Sequence, residues 1–456
     1  MSTPILAIDI GSTKICAIIG KKEDGKIEIS GHGIAKSQGI KKGTITNIEQ
    51  ASKAIKRAVD DAKRVSGLNI TTATISISAT YTKSINSTGV VNIPNNDISI
   101  NEINRVMQTA LYNANIPNEF EILHVLPFKF KIDDQDFIED PYGMNASRME
   151  VDTHIIMTAK SSLENLKKAV NAANIEIGKV VLSGYASSLA VINQEDRERG
   201  IAVIDLGGQT SNLVIHVGNA IQYNDFLSVG SYHITNDLSI ALHTPFDTAE
   251  KLKIAKGSLL TTGTNENIEL PIIGDEHNLN TVSMDIVHSI IHSRMEEALT
   301  ILANSIANSS LKNQIGAGIM LTGGMTHIEG TRELAQALMP NIPIRIGSPP
   351  YINKISNELL SAEYSVAVGL MLYEAGYNTE YELERNKQML HSKEYIPKDS
   401  LSDIASITGI KPKIHISESS FEEKEANELF ADLSREPVKD NSNPVQSFVE
   451  WAKKIF

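Results

Sequence analysis

The sequence predicts an α/β fold built from two related halves, and three observations support this expectation. The chain opens with an apolar strand that ends in Asp9, followed by a glycine turn and two further strands. The same arrangement restarts after Gly200, about 195 residues later, with a strand that ends in Asp205. A third apolar strand runs into Gly323 and Gly324 and then into a helix. Repetition of one strand–turn–strand unit on this scale indicates a duplicated core.

Composition places the chain among ordinary globular proteins and excludes several functions. Its 456 residues are 41% hydrophobic and 21% charged, which leaves room for two or three domains. The net charge of −13 argues against a nucleic-acid partner, because phosphate backbones are bound by clustered Lys and Arg. The single Cys16 excludes an internal disulfide. The sequence shows no signal peptide and no run of ~20 apolar residues, so we expect a cytoplasmic protein.

Periodicity predicts the elements between these turns. Apolar positions at helical spacing predict a helix over 46–67 that stops at Gly67. Residues 84–160 follow a pattern of their own, which indicates an inserted subdomain of strands and one helix. A long helix is expected over 285–309. After about Tyr377 the composition becomes polar and poor in bulky apolar clusters, which predicts a largely disordered linker.

The first glycine turn has the residues of a phosphate site. Gly11, Ser12 and Thr13 present backbone N–H and hydroxyl groups that can surround phosphate oxygens, and Lys14 adds a positive charge. Asp9 would hold a hydrated Mg²⁺, which keeps most of its waters. Taken alone, this short motif is as often a structural hairpin turn as a phosphate-binding one.

The second and third turns strengthen the interpretation that these turns bind phosphate. Gly207, Gly208 and Thr210 follow Asp205, so the two hairpins would grip a polyphosphate from both sides of a cleft, with Mg²⁺ between the aspartates. The turn that contains Gly323 and Gly324 would pack against a nucleoside and present a helix N-terminus. Three such turns in this order favour a nucleotide site over a purely structural role.

These turns, the helix at 186–192 and the stretch "YSVAVGL" resemble the superfamily of actin, heat-shock chaperones and sugar kinases. The stretches "DIGSTKICAIIG", "HVLPFKFKID" and the terminal "SFVEWAKKIF" are similar to the FtsA family, the actin-like bacterial cell-division proteins. The resemblance spans about residues 4–375 and the tail. It implies an actin-like (ribonuclease H-like) fold divided into a first half (1–83 and 161–198), an FtsA-type inserted subdomain (84–160), a second half (199–228 and 302–375), a small subdomain (229–301), a flexible linker (376–442) and a terminal amphipathic helix (443–456).

The resemblance implies ATP and Mg²⁺ in the cleft. The Mg²⁺ would be held through water by Asp9 and Asp205. The resemblance implies that Glu250 and Lys253 contact the ribose and the base. Taken alone, the two residues favour another interpretation, a solvent-exposed ion pair at i,i+3 spacing on a helix. The nucleotide-binding residues that the resemblance implies are Gly11, Ser12, Thr13, Lys14, Gly207, Gly208, Gln209, Thr210, Glu250, Lys253, Gly323, Gly324 and Met325.

Three positions depart from the family pattern. Gln209 stands where the second hairpin usually has glycine, so a side chain enters a turn that normally admits only backbone. Asn212 replaces an acid near the phosphates. Gly184 occupies the position where strongly hydrolysing members often place Glu or Gln to orient water. We therefore expect nucleotide binding with at most weak hydrolysis, and we assign no catalytic residue.

The last dozen residues predict an amphipathic helix. Asn443 suits an N-cap and Pro444 the first helical position. So short a helix needs a surface to fold against, which is either the protein's own core or a bilayer. The long polar linker, the tryptophan and the paired lysines favour the bilayer. The residues expected to contact the membrane are Val445, Phe448, Val449, Trp451, Ala452, Lys453, Lys454, Ile455 and Phe456.

Together these features predict an ATP-binding scaffold that self-associates into filaments on the cytoplasmic face of the inner membrane. The FtsA resemblance implies that it tethers the FtsZ ring through the C-terminal tail of FtsZ, bound near residues 230–300, and helps to recruit later division proteins. A phosphotransferase or ATPase of the same fold is one alternative, although no catalytic carboxylate is apparent and the tail stays unexplained. An actin-like pilus or secretion assembly scaffold is another, which would not require the tail.

Overall fold

A computed structural model describes residues 3–23, 26–218, 220–260 and 266–390 of the chain. The first half opens with the strand–turn–strand unit expected from the sequence. Its strands β1 (Thr3–Ile10), β2 (Lys14–Glu23) and β3 (Lys26–Lys36) pair in antiparallel order. The ends of β1 and β2 that meet at the turn are buried, which accounts for their nearly continuous apolar sequence.

The connection that follows β3 contains a small hairpin and the first helix. The hairpin consists of β4 (Ile40–Lys41) and β5 (Thr44–Ile45), and α1 (Ile48–Ser66) follows it. Gly67 stops the helix in the left-handed conformation at φ 67°, as its sequence position predicts. Strand β6 (Thr72–Ile77) then returns parallel to β1.

The inserted subdomain has a sheet and a core of its own. Its elements are β7 (Thr82–Asn92), α2 (Ile100–Asn113), β8 (Phe120–Ile132), β9 (Gln135–Ile138) and β10 (Arg148–Ala159). Strand β10 lies between β7 and β8, and α2 packs its buried face on this sheet. The insert thus begins and ends within two residues of the bounds expected from the sequence.

The chain then completes the first half. The elements are α3 (Lys160–Ala172), β11 (Glu176–Leu182), α4 (Ser183–Val191) and α5 (Gln194–Arg199). The finished sheet has the order β11-β6-β1-β2-β3.

The second half repeats this sheet. Its strands are β12 (Ile201–Leu206), β13 (Ser211–Val217), β14 (Ala220–Leu227), β17 (Ile319–Thr322) and β18 (Ile344–Ile346). The order β18-β17-β12-β13-β14 matches the first sheet strand for strand, so β1 corresponds to β12 and β6 to β17. The duplication expected from the two aspartate turns is therefore a duplication of the whole sheet.

A small subdomain separates β14 from β17. It contains α6 (Ser231–Ala241), α7 (Phe246–Lys256), β15 (Asn267–Ile272), β16 (Asp275–Ser283) and the long α8 (Met284–Asn308). Helix α9 (Thr331–Leu338) follows β17, and α10 (Ser365–Leu372) packs against α4 and β1. None of the helices in the described ranges is long and apolar enough to cross a membrane.

The end of the described chain corrects one expectation. Residues 376–390, which were assigned to the linker, fold onto the body, and β19 (Leu383–Glu384) adds a strand to the free edge of β8 in the insert. The reason is local: Tyr381 and Leu383 are buried in the core of the insert although their neighbours are polar. The remainder of the expected linker and the terminal helix lie outside the described residues.

A buried polar cluster fastens this segment. Glu382 and His124 are both fully buried, and their Oε1 and Nδ1 atoms lie 2.7 Å apart. The Leu182 amide donates to His124 Nε2 at 3.1 Å, so the ring proton is on Nδ1 and donates to the carboxylate. The hydroxyls of Tyr373 and Tyr185 also donate to Glu382, at 2.8 and 3.1 Å. The acid therefore joins the insert, the first half and the C-terminal segment.

Candidate functional site

The glycine turns of the two halves meet at one cavity of about 400 Å³. The turn between β1 and β2, the turn between β12 and β13 and the turn after β17 all contribute to its wall. Every residue that the sequence analysis assigns to nucleotide or Mg²⁺ lies in this wall, including Glu250 and Lys253 of α7. The structure thus brings the whole expected set together, and the binding role of its members stays a prediction.

The two hairpins have the same backbone geometry and touch each other. A Cβ added at Gly11 would lie 2.7 Å from the Lys14 carbonyl oxygen, and one at Gly207 would lie 2.6 Å from the Thr210 carbonyl oxygen. At Gly208 a Cβ would lie only 1.9 Å from Thr13 Oγ1 of the opposite hairpin. A Cβ at any of these positions would collide with backbone or with Thr13, so glycine is required. The Gly207 amide donates to the Thr210 carbonyl oxygen at 3.1 Å and closes the second hairpin.

Two buried carboxylates stand at the matching strand ends. Burial raises the pKa of Asp9 from 3.8 to about 6, against the opposing effects of a Ser76 hydrogen bond and of Lys14. Burial and, secondly, the negative charge of Asp9 together raise the pKa of Asp205 to about 7. The Ser76 hydroxyl donates to Asp9 Oδ1 at 2.9 Å and accepts from the Ile10 amide at 2.8 Å. Two buried carboxylates, one of which raises the pKa of the other, form a place for a cation.

These donors fit Mg²⁺ held through water. Mg²⁺ keeps several waters and is usually bound by one or two carboxylates together with substrate phosphates. Asp9 and Asp205 provide two carboxylates and no more, because no group of three or more His, Cys, Asp and Glu residues suited to a metal occurs among the described residues. An ion here would therefore depend on phosphate oxygens for part of its coordination.

Lys14 takes a different position from the expected one. Its Nζ forms an ion pair with Glu363 and lies 3.5 Å from the centre of the Tyr364 ring. Lys14 still lines the cavity, together with Glu363. Its charge is thus partly compensated by the segment before α10, which the sequence analysis did not connect with the site.

The third turn packs directly on the carboxylate of the second hairpin. Gly323 has φ 90°, and a Cβ there would lie 2.5 Å from Asp205 Oδ1. Gly324 begins a short 3₁₀ helix, Gly324–His327, that contains the buried Met325. The turn therefore places glycine backbone beside an apolar side chain, a combination that suits a nucleoside.

Glu250 and Lys253 form the i,i+3 ion pair of the alternative, but the lysine of this pair is buried. Lys253 is only 7% exposed, and burial lowers its pKa. Its Nζ donates to Glu250 Oε2 and Thr235 Oγ1, each at 2.8 Å, and to the Ser231 carbonyl oxygen at 3.2 Å. The pair is part of a buried network in the cavity wall, where a ribose hydroxyl could compete for the same donors and acceptors.

The two departures at Asn212 and Gly184 are neighbours. Asn212 donates a hydrogen bond to Asp205 that opposes the rise of its pKa, while Asn212 Oδ1 is buried without a partner. A Cβ at Gly184 would lie 3.2 Å from Asn212 Cβ and 3.1 Å from Val214 Cγ1. A larger side chain at 184 would therefore press on the Asn212 and Val214 side chains, and the site offers no carboxylate there to orient water.

The small subdomain has a separate surface groove of about 600 Å³ between α6 and α8. Its apolar wall includes Ile240 and Ile286, which are 63% and 52% exposed. Arg294 crosses it and donates from Nε to Asp237 Oδ2 at 2.6 Å, and it also pairs with Glu297. We call this surface the α6–α8 groove.

Sequence comparison decides the family. A family model described as "SHS2 domain inserted in FTSA" matches residues 79–157, and one described as "Cell division protein FtsA" matches residues 202–369. Cell division protein FtsA of Helicobacter pylori is 37% identical over 444 residues, which cover 91% of this chain and 89% of that protein. The chain belongs to the FtsA family. It is therefore a member of a family of cell division proteins, and the inserted subdomain is the FtsA-type SHS2 domain.

Solved structures show the same fold at low identity. The PilM–PilN type IV pilus biogenesis complex aligns with a TM-score of 0.58 and 14% identity, over 81% of this chain and 98% of that one. MreB5 of Spiroplasma citri bound to ADP aligns with a TM-score of 0.51 and 14% identity, over 81% and 96%. These likenesses confirm the actin-like fold for this FtsA-family chain.

Several residues of the site were not found from the sequence. Ser78, Ser183, His327 and Glu363 line the cavity, and Thr235 bonds Lys253 in its wall. They belong to segments that reach the cavity from distant parts of the chain. A weak signal was present at Ser78, because the strand "TISISAT" alternates and its polar residues lead toward the turns.

Proposed function

We propose that this FtsA-family chain binds ATP with Mg²⁺ in the cavity between its halves. The observation that supports this most directly is the close contact of the two glycine hairpins, Gly208 against Thr13, above two buried carboxylates. In this arrangement the backbone N–H groups would hold the phosphates, and Asp9 and Asp205 would hold hydrated Mg²⁺. The ADP bound to MreB5 of Spiroplasma citri, a protein of the same fold, is consistent with this assignment.

Hydrolysis in this cavity should be slow. The residues that would have to orient an attacking water are Gly184, which has no side chain, and Asn212, whose amide is already bonded to Asp205. ATP would therefore act by binding, bringing the two halves together, and self-association into filaments would follow from the closed form.

The α6–α8 groove is the proposed site for the C-terminal tail of FtsZ. It lies within residues 230–300, where the family resemblance puts this contact, and it combines exposed isoleucines with Arg294. Exposed apolar residues rimmed by charge are typical of a surface that binds a short peptide. Through this contact the filament would tether the FtsZ ring and help to recruit later division proteins.

The membrane contact is proposed for the terminal residues 443–456, which lie outside the described residues. Their sequence separates Trp451 and the other apolar residues from the polar ones at helical spacing. One short helix of this kind binds weakly, so stable attachment would require many copies along a filament. The protein would then be a peripheral protein of the cytoplasmic face of the inner membrane at the division site.

Vesicle flotation tests the proposal as a whole. Anionic liposomes are mixed with the full chain, with a chain that ends at Ser442, or with Trp451→Glu, each with and without ATP and Mg²⁺. We expect only the full chain to float, and a larger fraction of it with ATP. If all three remain in solution, the terminal residues contact protein instead of lipid. If the full chain floats equally with and without ATP, nucleotide does not control assembly.

A further inference from the structure

A two-residue turn faces both phosphate hairpins with backbone N–H groups. Lys42 and Gly43 form the loop between β4 and β5, with φ of 48° and 73°. Lys41 pairs with Thr44, so the hairpin ladder does not use the N–H groups of the two loop residues. These two N–H groups are therefore free to donate to side chains outside the hairpin.

The acceptors come one from each half of the molecule. Ser12 Oγ, in the first phosphate hairpin, accepts from the Gly43 amide at 2.9 Å. Gln209 Oε1, in the second, accepts from the Lys42 amide at 2.7 Å. Gln209 is the side chain that replaces the usual glycine of this hairpin, and the structure shows where it goes: across the cleft to the turn.

The rear of the turn is held in place. Thr80 Oγ1 donates to the Lys42 carbonyl oxygen at 2.8 Å, and the Ser78 hydroxyl lies 3.2 Å from Thr80 Oγ1. A Cβ at Gly43 would lie 2.3 Å from Ser78 Oγ, so Ser78 packs directly against the turn. Thr80 and Ser78 thus support the turn independently of Ser12 and Gln209.

The turn lies where the inner cavity adjoins a second, outer cavity. Gly43 lines the inner cavity of about 400 Å³, and Lys42 lines an outer cavity of about 830 Å³. Ser12 and Gln209 line both, whereas Gly323 lines only the inner one. A phosphate chain that starts at the Gly323 turn and passes between the hairpins would therefore end at Lys42 and Gly43.

We infer that the Lys42–Gly43 turn binds the terminal phosphate of a nucleoside triphosphate, and that Gln209 and Ser12 occupy its N–H groups when that phosphate is missing. The inference rests on the proposed nucleotide binding. Adjacent N–H groups in a turn form a concavity suited to an anion, and a phosphate oxygen is a stronger acceptor than an amide oxygen. A diphosphate would leave the bridge from Gln209 intact. The turn thereby distinguishes the two nucleotides.

Equilibrium binding to the full chain tests this inference. The affinities for ADP and for the non-hydrolysable imido analogue of ATP are measured for the wild type, Gln209→Met and Gln209→Glu. The matched control is Gln108→Met, on α2 of the insert, which bonds the Lys387 carbonyl oxygen and does not line the cavity. The readout is the ratio of the two affinities, because overall damage to the site changes both.

We expect the affinity for the triphosphate analogue, divided by that for ADP, to be about fivefold higher in Gln209→Met than in the wild type. The reason is that methionine offers no comparable acceptor for the phosphate to displace. The ratio should fall about tenfold in Gln209→Glu, because a carboxylate holds the Lys42 amide more strongly and repels phosphate. Ratios equal to the wild type in both variants, or shifts in the same direction, would overturn the inference alone. A wild type that binds neither nucleotide would overturn the proposed function as well.

Hydrogen exchange in the wild type gives a second readout that needs no variant. The peptide over 40–47 should exchange more slowly with the triphosphate analogue than with ADP, since a charged acceptor replaces Gln209 Oε1. Equal exchange with the two nucleotides, both bound to saturation, would contradict the assignment of the turn.

Discussion

Asp205→Asn should make the nucleotide-free protein more stable at neutral pH while weakening its response to Mg²⁺ and ATP. The folded protein raises the pKa of Asp205 from 3.8 to about 7, mainly because the carboxylate is buried and secondly because Asp9 is close. A carboxyl with a raised pKa binds a proton more tightly in the folded state. Asp205 therefore does not destabilise the folded state at a pH below its pKa in the unfolded chain. It destabilises the folded state fully at a pH above its pKa in the folded protein.

The size of the effect follows from these values. A rise of about three pKa units corresponds to about 4 kcal/mol of unfolding free energy. The wild type loses this contribution as the pH rises from about 4 to 7, whereas an amide at 205 stays neutral throughout. The free energy of unfolding of Asp205→Asn should thus exceed that of the wild type by about 4 kcal/mol at pH 8, and by less than about 1 kcal/mol at pH 4.

Urea unfolding of the full chain, followed by circular dichroism between pH 4 and 8, measures this difference. Asp60→Asn, exposed on α1, controls for the loss of a carboxylate elsewhere. A second series adds ATP and Mg²⁺, which at a hundredfold excess over the dissociation constant stabilise a binding-competent protein by about 2.7 kcal/mol. The wild type should gain this and the variant much less. Parallel pH curves for Asp205→Asn and the wild type would refute the electrostatic reasoning, and equal gains from Mg²⁺ and ATP would refute the metal role.

Three further changes test other parts of the molecule. Ile286→Asp should weaken binding of an FtsZ C-terminal tail peptide to the α6–α8 groove at least tenfold in fluorescence anisotropy. Ile301→Asp, on the same helix but outside the groove, should have no such effect. Glu382→Ala leaves the buried donors of His124 and Tyr373 without their acceptor and should lower the free energy of unfolding by about 3 kcal/mol or more, with earlier trypsin cleavage near the end of the body. An unchanged urea midpoint would contradict this. Gly323→Ala should lower nucleotide affinity at least tenfold by calorimetry because its Cβ meets Asp205, whereas Gly67→Ala, with open space around it, should cost only about 1 kcal/mol of stability.

Local pattern was sufficient for the elements and for much of the candidate site. The strand–turn–strand units that end in Asp9 and Asp205 could be read directly because a buried strand is apolar along its length and the turn needs glycine. Helix α1 was equally readable, since its apolar face and the stop at Gly67 depend only on residues close in the chain. Such features depend on residues that are close together in the chain, so a short stretch of sequence is enough to predict them.

The partners of individual side chains depended on the tertiary structure. Lys14 bonds to Glu363, 349 residues away in the chain, and Gln209 bonds to Lys42, 167 residues away. The sequence contains no signal that pairs residues so far apart. Residues 376–390 have the composition of a linker, yet they fold because the edge of β8 and the buried His124 offer a strand partner and a proton donor.

The raised pKa values of the two aspartates arise in the same way, since burial of both, and repulsion of Asp205 by Asp9, exist only once the halves have met. The sequence by itself thus determined the kinds of elements, the duplication and the residue types around the cavity. The tertiary structure alone decided which of those groups are buried together, because desolvation and long-range contact are properties of the folded chain and not of any short stretch of it.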